Sequence, residues 1–245
     1  MGQSVATARP LKFLCYTLDM IIIGHRGARG LAPENSLASF DTAIEHNVTY
    51  VEFDVRLTHD GELVVIHDRH TKRVAFIKQH IRKMTLQEVK DVATRDGIPI
   101  PTLDEVLAHL KGKVKVNIEI KSRKAALKVW EILEPYLQKR AYSLEDIIVS
   151  SSRLGELKAL RKVGGDIRLA LLQRRFPLRF LFVPSSLALY GVGTRHTLLT
   201  KWIVQRAKKN GLFTYAYTVN NPKRAKQLAD WGLDAVCTDR PDIIR

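Results

Sequence analysis

YVEFDVRLTHDGELVVIHD, residues 50–68, holds two short apolar runs, Tyr50 to Arg56 and Leu63 to His67, separated only by LTHDGE. The Asp60-Gly61 pair is a turn signal, so the second run is expected to fold back on the first as a hairpin-like arm. Outward from this stretch, further β-branched runs occur at Ile21 to Gly24, Lys115 to Lys121, Ile147 to Ser151, Ile167 to Leu172, Ala188 to Gly191, Phe213 to Val219 and Ala235 to Thr238. With the arm set aside, eight runs remain, the number that closes a parallel barrel. Amphipathic stretches alternate with them: Leu37, Phe40 and Ile44 share one helical face, and Ala126, Val129, Trp130, Leu133 and Leu137 another. Later helices are expected over Gly155 to Lys162, Thr200 to Asn210 and Pro222 to Trp231, with Gly164, Gly211 and Gly232 just beyond them. Asn35 or Ser36 caps the first helix, and Asn47 ends it in a left-handed turn. The predicted fold is α/β, a (β/α)8 TIM barrel with a small insertion after the second strand; an open doubly wound sheet is the alternative.

Composition narrows the partners. The chain has 245 residues, 45% of them apolar, and its 40 Lys plus Arg exceed its 25 Asp plus Glu to give a net charge of +15. Such a balance favours anionic partners. Its basic residues are scattered and only 7% of residues are aromatic, which argues against a nucleic-acid surface. Cys15 and Cys237 are too far apart for a metal knuckle. Residues 1–20 read as an N-terminal extension to a barrel domain over 21–245. Lys12 and Asp19 interrupt the apolar stretch that ends the extension, so a cytoplasmic protein without signal peptide or span is expected. In residues 176–197 no single period holds. Phe176, Phe180 and Phe182 stand among Arg174, Arg175 and Arg179, a composition suited to peripheral contact with an anionic membrane.

Polar groups recur where apolar strands end, the place where a parallel barrel gathers side chains into one mouth. His25 and Arg26 follow the first strand, and His67 closes ELVVIH. Alternation puts Glu52 and Asp54 on one strand face, and Glu119 and Lys121 on another. Three unpaired carboxylates facing a barrel interior would cost several kcal/mol each, or would protonate, unless a divalent cation gathers them. Oxygen-only ligands suit Mg2+ or Ca2+. Ordinary salt bridges with Lys121 and Arg56 are the competing account. His25 and His67 suit general acid–base chemistry, since imidazole holds either protonation state near neutral pH. His59, His70 and His80 read as surface residues. Arg26 and Lys121 would lie beside the metal with no surplus carboxylate to occupy both, so a substrate phosphate is their expected partner. The glycines at 24, 27 and 30 match neither a P-loop nor a dinucleotide fingerprint.

These residues closely resemble the glycerophosphodiester phosphodiesterases. GHRG at 24–27, PEN at 33–35, EFDVRLTHDGELVVIHD at 52–68, IEIK at 118–121, TVN at 218–220 and TDRP at 238–241 follow in family order from about residue 21 onward. The resemblance implies a (β/α)8 barrel that hydrolyses glycerophosphodiesters to glycerol 3-phosphate and an alcohol. It implies that Glu52, Asp54 and Glu119 hold the divalent metal, that His25 and His67 are the acid–base pair, and that Arg26 and Lys121 bind the phosphate. Glu34 of the PEN motif either touches the metal or orients Arg26. The family usually has Trp where Tyr217 precedes TVN, so Tyr217 is expected to pack against the alcohol part and to influence substrate preference. Alternatives are a lysophospholipase D, a catalytically idle phospholipid- or phosphate-binding barrel, and a Schiff-base enzyme using Lys121. The last is disfavoured by the neighbouring carboxylates.

Overall fold

Apolar residues at alternate strand positions and amphipathic helices between strands give a sheet that closes on itself. The strands are β1 (Ile21–His25), β2 (Tyr50–Leu57), β3 (Leu63–Val65), β4 (Lys115–Ile120), β5 (Ile147–Ser151), β6 (Arg168–Gln173), β7 (Gly191–Arg195), β8 (Phe213–Tyr217) and β9 (Ala235–Thr238). All but β3 pair in parallel, and β1 pairs with both β2 and β9, which closes an eight-stranded barrel. β3 runs antiparallel to β2, as the Asp60-Gly61 turn predicts. This computed structural model describes residues 20–92 and 94–244; Cys15 and the extension expected over 1–20, Met20 apart, lie outside the described residues.

Seven α-helices are present among the described residues: α1 (Leu37–Glu45), α2 (Leu86–Lys90), α3 (Leu103–Leu110), α4 (Ala126–Gln138), α5 (Leu154–Val163), α6 (Lys201–Lys209) and α7 (Pro222–Asp230). Outward-facing strand residues such as Val51, Phe53, Ile118 and Val149 pack with helix residues Phe40, Leu107, Val129 and Leu157 in the main core. Inward-facing Ile23, Tyr50, Ile148, Ala170, Tyr215 and Cys237 fill the barrel. The chain between β2 and α3 forms a small outlying layer. Two 3-10 turns and α2 follow β3 there, over a core of Val64, Ile66, Ala75, Ile81, Met84 and Val89.

Several boundaries differ from the sequence reading. The sixth barrel strand, β7, lies at Gly191–Arg195, not Ala188 to Gly191; Ala188 ends a 3-10 turn at φ 45°. Gly191 and Gly193 conceal the strand because they carry no side chain, and Phe213 and the Tyr215 ring of β8 occupy the space a Cβ would need. The third run ends at Val65, so His67 stands in the loop after it. Helix α3 has no counterpart in the expected helices, although Thr102 and Glu105 form a reciprocal capping box at its start. Ser36, not Asn35, caps α1, its hydroxyl accepting from the Ser39 amide at 3.1 Å. Asn47 does take the left-handed conformation, at φ 57°.

Candidate active site

Strand register assembles the site. His25 of β1 is level with Glu52 of β2, and Asp54 of β2 with Glu119 of β4, so two neighbouring strand pairs deliver four of the expected residues to the C-terminal mouth. Glu52, Asp54 and Glu119 are buried, and a carboxylate oxygen from each lies within 4.8 Å of the others. Glu34 is outside this convergent group.

The three carboxylates are unequal. Asp54 is flanked by Arg26 Nε at 3.2 Å and Lys121 Nζ at 3.1 Å. Burial works against its charge, yet these two cations hold it far below the usual carboxylate range. Neither contact has hydrogen-bond geometry, and Asp54 Oδ1 has no hydrogen-bond partner. Asn35 holds the rest of the residue, donating from Nδ2 to Asp54 Oδ2 at 3.1 Å and accepting from the Asp54 amide at 3.3 Å. Glu119 sits 2.6 Å from Lys121 Nζ, but burial still pushes it up. Glu52 has no ion pair among the described residues; it accepts only the Arg26 amide at 2.9 Å. Burial, with Asp54 and Glu119 beside it, pushes its carboxyl well above the usual range. A buried Asp54 oxygen without a hydrogen-bond partner and two carboxyls poorly stabilised by the protein are what a hard divalent cation satisfies, and the all-oxygen donor set fits one.

Arg26 and Lys121 are not free of carboxylates, contrary to expectation. Glu34 takes Arg26 Nη1 at 2.9 Å, and Lys121 is shared by Glu119 and Asp54. Glu34, for which either contact with the metal or orientation of Arg26 was expected, clamps arginines: besides Arg26 it accepts Arg73 Nη2 at 2.9 Å and Nη1, and Arg29 Nε lies 3.4 Å away. Burial notwithstanding, Arg73 and Arg26 keep Glu34 below its ordinary pKa. Lys121 is held above its ordinary pKa by Asp54 and Glu119 against the effect of burial, which removes the neutral amine that a Schiff base requires. Arg56 makes no salt bridge to the triad. It donates from Nε and Nη2 to the His67 carbonyl at 2.8 and 2.6 Å.

Each histidine has its own carboxylate. His25 Nδ1 lies 2.5 Å from Asp239 Oδ1, and His67 Nδ1 lies 2.7 Å from Asp68 Oδ1. A carboxylate only accepts, so each Nδ1 carries the proton and Nε2 is left to face other partners. Asn220 steadies Asp239 by donating to Oδ2 at 2.8 Å and accepting its amide at 2.9 Å. Arg73 Nε does the same for Asp68 at 2.7 Å. Burial lowers His25 and pulls His67 down to about 4, while the carboxylates beside each ring work against the shift. Asp239 and Asp68 both lie at about 2 despite burial, Asp239 through its hydrogen bond to His25 and Asp68 through Arg73 and His67.

A cavity of about 500 Å3 joins these groups, lined by His25, Arg26, His67, Glu119, Lys121 and Tyr217 together with Arg29, Arg174, Arg195 and His196. Of these, Arg174 belongs to the segment expected to face a membrane, whereas Arg29, Arg73, Arg195 and His196 carry no site signal in the sequence, and Asp68, Asn220 and Asp239 stand in the IHD, TVN and TDRP motifs without a role of their own there. Asp239 is 214 positions from His25, so only the fold relates them. Of the histidines read as surface residues, His59 and His80 are exposed, whereas His70 is half-buried, in a bridge that pairs it with His80. Phe176 and Phe182 stack at 5.9 Å and are 50% and 74% exposed, whereas Phe180 turns inward to 6%. No helix among the described residues is long and apolar enough to cross a membrane.

Comparison with known proteins gives one answer at every level. The sequence profile of the glycerophosphoryl diester phosphodiesterase family matches residues 25–243. A glycerophosphodiester phosphodiesterase of Caldanaerobacter subterraneus is 30% identical over 238 residues, covering 93% of this chain and 97% of its own. The Bacillus subtilis protein YhdW, named as a candidate for the same activity, is 34% identical over 236 residues, covering 92% and 96%. Among solved structures, an Oleispira antarctica phosphodiesterase in complex with the product sn-glycerol-3-phosphate superposes with a TM-score of 0.83 at 26% identity, covering 91% of this chain and 94% of its own.

Proposed function

The chain belongs to the glycerophosphoryl diester phosphodiesterase family, and we propose that it hydrolyses glycerophosphodiesters to glycerol 3-phosphate and an alcohol at the barrel mouth. The observation that carries this reading is the pair of carboxylate-backed imidazoles, His25 and His67, lining one cavity with Glu119, whose carboxylate converges with those of Glu52 and Asp54. Glu52, Asp54 and Glu119 would hold a divalent cation, Mg2+ or Ca2+, which supplies a Lewis acid for the charge on the phosphoryl oxygens. Arg26 and Lys121 bind the scissile phosphate with the N–H groups their carboxylate partners leave over. Their attraction for the phosphoryl oxygens strengthens as negative charge builds there in the transition state. The neutral one of His25 and His67 takes a proton through Nε2 from the attacking hydroxyl, and the other, protonated on both ring nitrogens, gives its Nε2 proton to the departing alkoxide. Asp239 and Asp68 fix the ring tautomers that make this possible. Tyr217 offers its ring to the alcohol part.

Attack at phosphorus, by water or first by the glycerol 2-hydroxyl, leaves solvent oxygen in the phosphate. Turnover in 18O-labelled water should therefore label glycerol 3-phosphate and not the alcohol. Label in the alcohol would contradict attack at phosphorus.

A lysophospholipid substrate is the second reading, and the exposed Phe176 and Phe182 pair beside Arg174 and Arg175 favours it. This patch follows β6 at the mouth and suits peripheral contact with an anionic membrane.

A further inference from the structure

Beside the catalytic cavity lies a second one of about 320 Å3, reached across Lys121. Besides Lys121, six cationic residues line it, Arg56, Arg69, Arg82, Arg123, Lys124 and Arg153, together with Leu57, His80, Ile81 and Ser122. Among the described residues, none of the six side-chain cations forms an ion pair with a carboxylate. This contrasts with the catalytic mouth, where Glu34 alone gathers three arginines. Three of the six are held by backbone carbonyls instead: Arg56 by His67, Arg82 by Arg123 and Arg153 by Lys121. Their forks are thereby fixed around the concavity without being neutralised. Crowding cations in a concave, partly desolvated space without counter-charges is unfavourable unless an anion enters.

The position of the cavity relative to the reaction centre follows from strand alternation. Glu52, Asp54 and Arg56 share the inward face of β2, so Arg56 stands one step further out, about 7 Å beyond Asp54 along the strand. An anion there lies close enough to belong to the molecule whose phosphate sits at Arg26 and Lys121. The glycerol half of a glycerophosphodiester has hydroxyls and no further charge. The second anion must then be carried by the alcohol half.

We infer that this cavity is an anion subsite for a phosphate group borne by the alcohol part of the diester, so that the preferred substrates are glycerophosphodiesters of phosphorylated alcohols. Phosphate monoester, with close to two negative charges and three acceptor oxygens, matches several guanidinium forks better than a carboxylate does. The inference rests on the hydrolase reading above and names its substrate class.

The test compares glycerophosphoglycerol with the same compound phosphorylated on its terminal hydroxyl. Wild-type protein should favour the phosphorylated compound in kcat/KM by roughly tenfold or more, mainly through KM, as one charge-assisted contact would give. The triple variant Arg69→Gln/Arg82→Gln/Arg123→Gln, changed only at exposed side chains, should lose that preference. Its kcat/KM for the unphosphorylated compound should stay within about twofold of wild type, as for surface substitutions. No preference in wild type, or a preference kept by the triple variant, would overturn the subsite. Calorimetric binding of both compounds to His67→Ala protein with Mg2+ separates this from the hydrolase reading. Equal affinities overturn the subsite whether or not either compound is turned over, whereas unequal affinities that the triple substitution equalises support it. A parallel assay with the phosphorylated headgroup on a lysolipid in vesicles distinguishes the sources: a preference confined to that arm would overturn a subsite for soluble phosphorylated alcohols.

Discussion

At the scale of single residues, the chemistry depends on which nitrogen of each imidazole carries its proton. Asp239 and Asp68 decide that, so their substitution should damage turnover without touching the cavity lining. His25→Ala or His67→Ala should lower kcat by about 100-fold or more, the lower range for losing a positioned acid or base. Asp239→Asn should approach the His25→Ala value, because an amide can donate to Nδ1 and so favours the wrong tautomer. Steady-state kinetics on folded variants checks this; near-wild-type turnover of Asp239→Asn would refute the role given to its carboxylate. The carboxylate cluster predicts an opposite pH response for the protein with and without cation. Glu52 and Glu119 are raised above their unfolded values, so the folded chain binds more protons there. Stability contributed by these two groups is present below the unfolded carboxyl range and falls as pH rises through it toward their raised values. In EDTA they should therefore lower the melting temperature as pH is raised above about 4.5. Cation binding requires the ionised forms, so stabilisation by Mg2+ or Ca2+ should grow over the same range, reaching about 2.7 kcal/mol at a hundredfold excess over Kd. Melting scans against pH in both conditions measure it, and a cation effect that shrinks as pH rises would contradict the assignment.

At the scale of elements, α4 shows how the barrel's joints are held. Its N-cap position, Ala125, has no side-chain oxygen, and Glu156 of the next helix takes over the task. Its carboxylate accepts the amides of Lys124, Ala125 and Ala126 at 2.8, 3.0 and 3.1 Å. Glu156→Ala should cost about 1–3 kcal/mol, the price of leaving buried donors unsatisfied. Urea denaturation would show it, and an unchanged midpoint would mean that solvent replaces the cap.

The same elements show what a sequence reveals. β5 and β9 were legible to the residue because β-branched runs with clear ends left no choice of register. β7 was not, because its glycines exist to admit β8 side chains, and that reason lies in another strand. The convergence of Glu52, Asp54 and Glu119 was legible because alternation in two strands is a local rule. Asp239 on His25 and Glu34 on Arg73 were not, since partners 214 and 39 positions apart meet only through barrel closure and the excursion after β2. Asn35 was misread as a cap because the same side chain that can cap a helix can also grip a carboxylate.

At the scale of the whole molecule, the +15 charge sets up a field that draws anionic substrates toward a mouth ringed by Arg29, Arg174 and Arg195. Phe176 and Phe182 follow closely on Arg174 of that mouth, so the proposed membrane contact would share a face with substrate entry. Vesicles containing anionic lipid should bind the protein and release it as salt is raised, since exposed charges are screened over about 10 Å at 0.1 M. Phe176→Ser/Phe182→Ser should weaken that binding while leaving turnover of glycerophosphocholine unchanged. Sedimentation with vesicles and a soluble-substrate assay test both halves; unaltered vesicle binding would exclude the aromatic pair as the contact.

The central claim, cation-dependent diester hydrolysis by His25 and His67, is tested most directly by product analysis with glycerophosphocholine. Wild-type and His67→Ala protein are each incubated with Mg2+, Ca2+ or EDTA. The wild type should release glycerol 3-phosphate and choline with a cation and none in EDTA, and His67→Ala should release almost none in any condition. Undiminished release in EDTA, or by His67→Ala, would contradict the account.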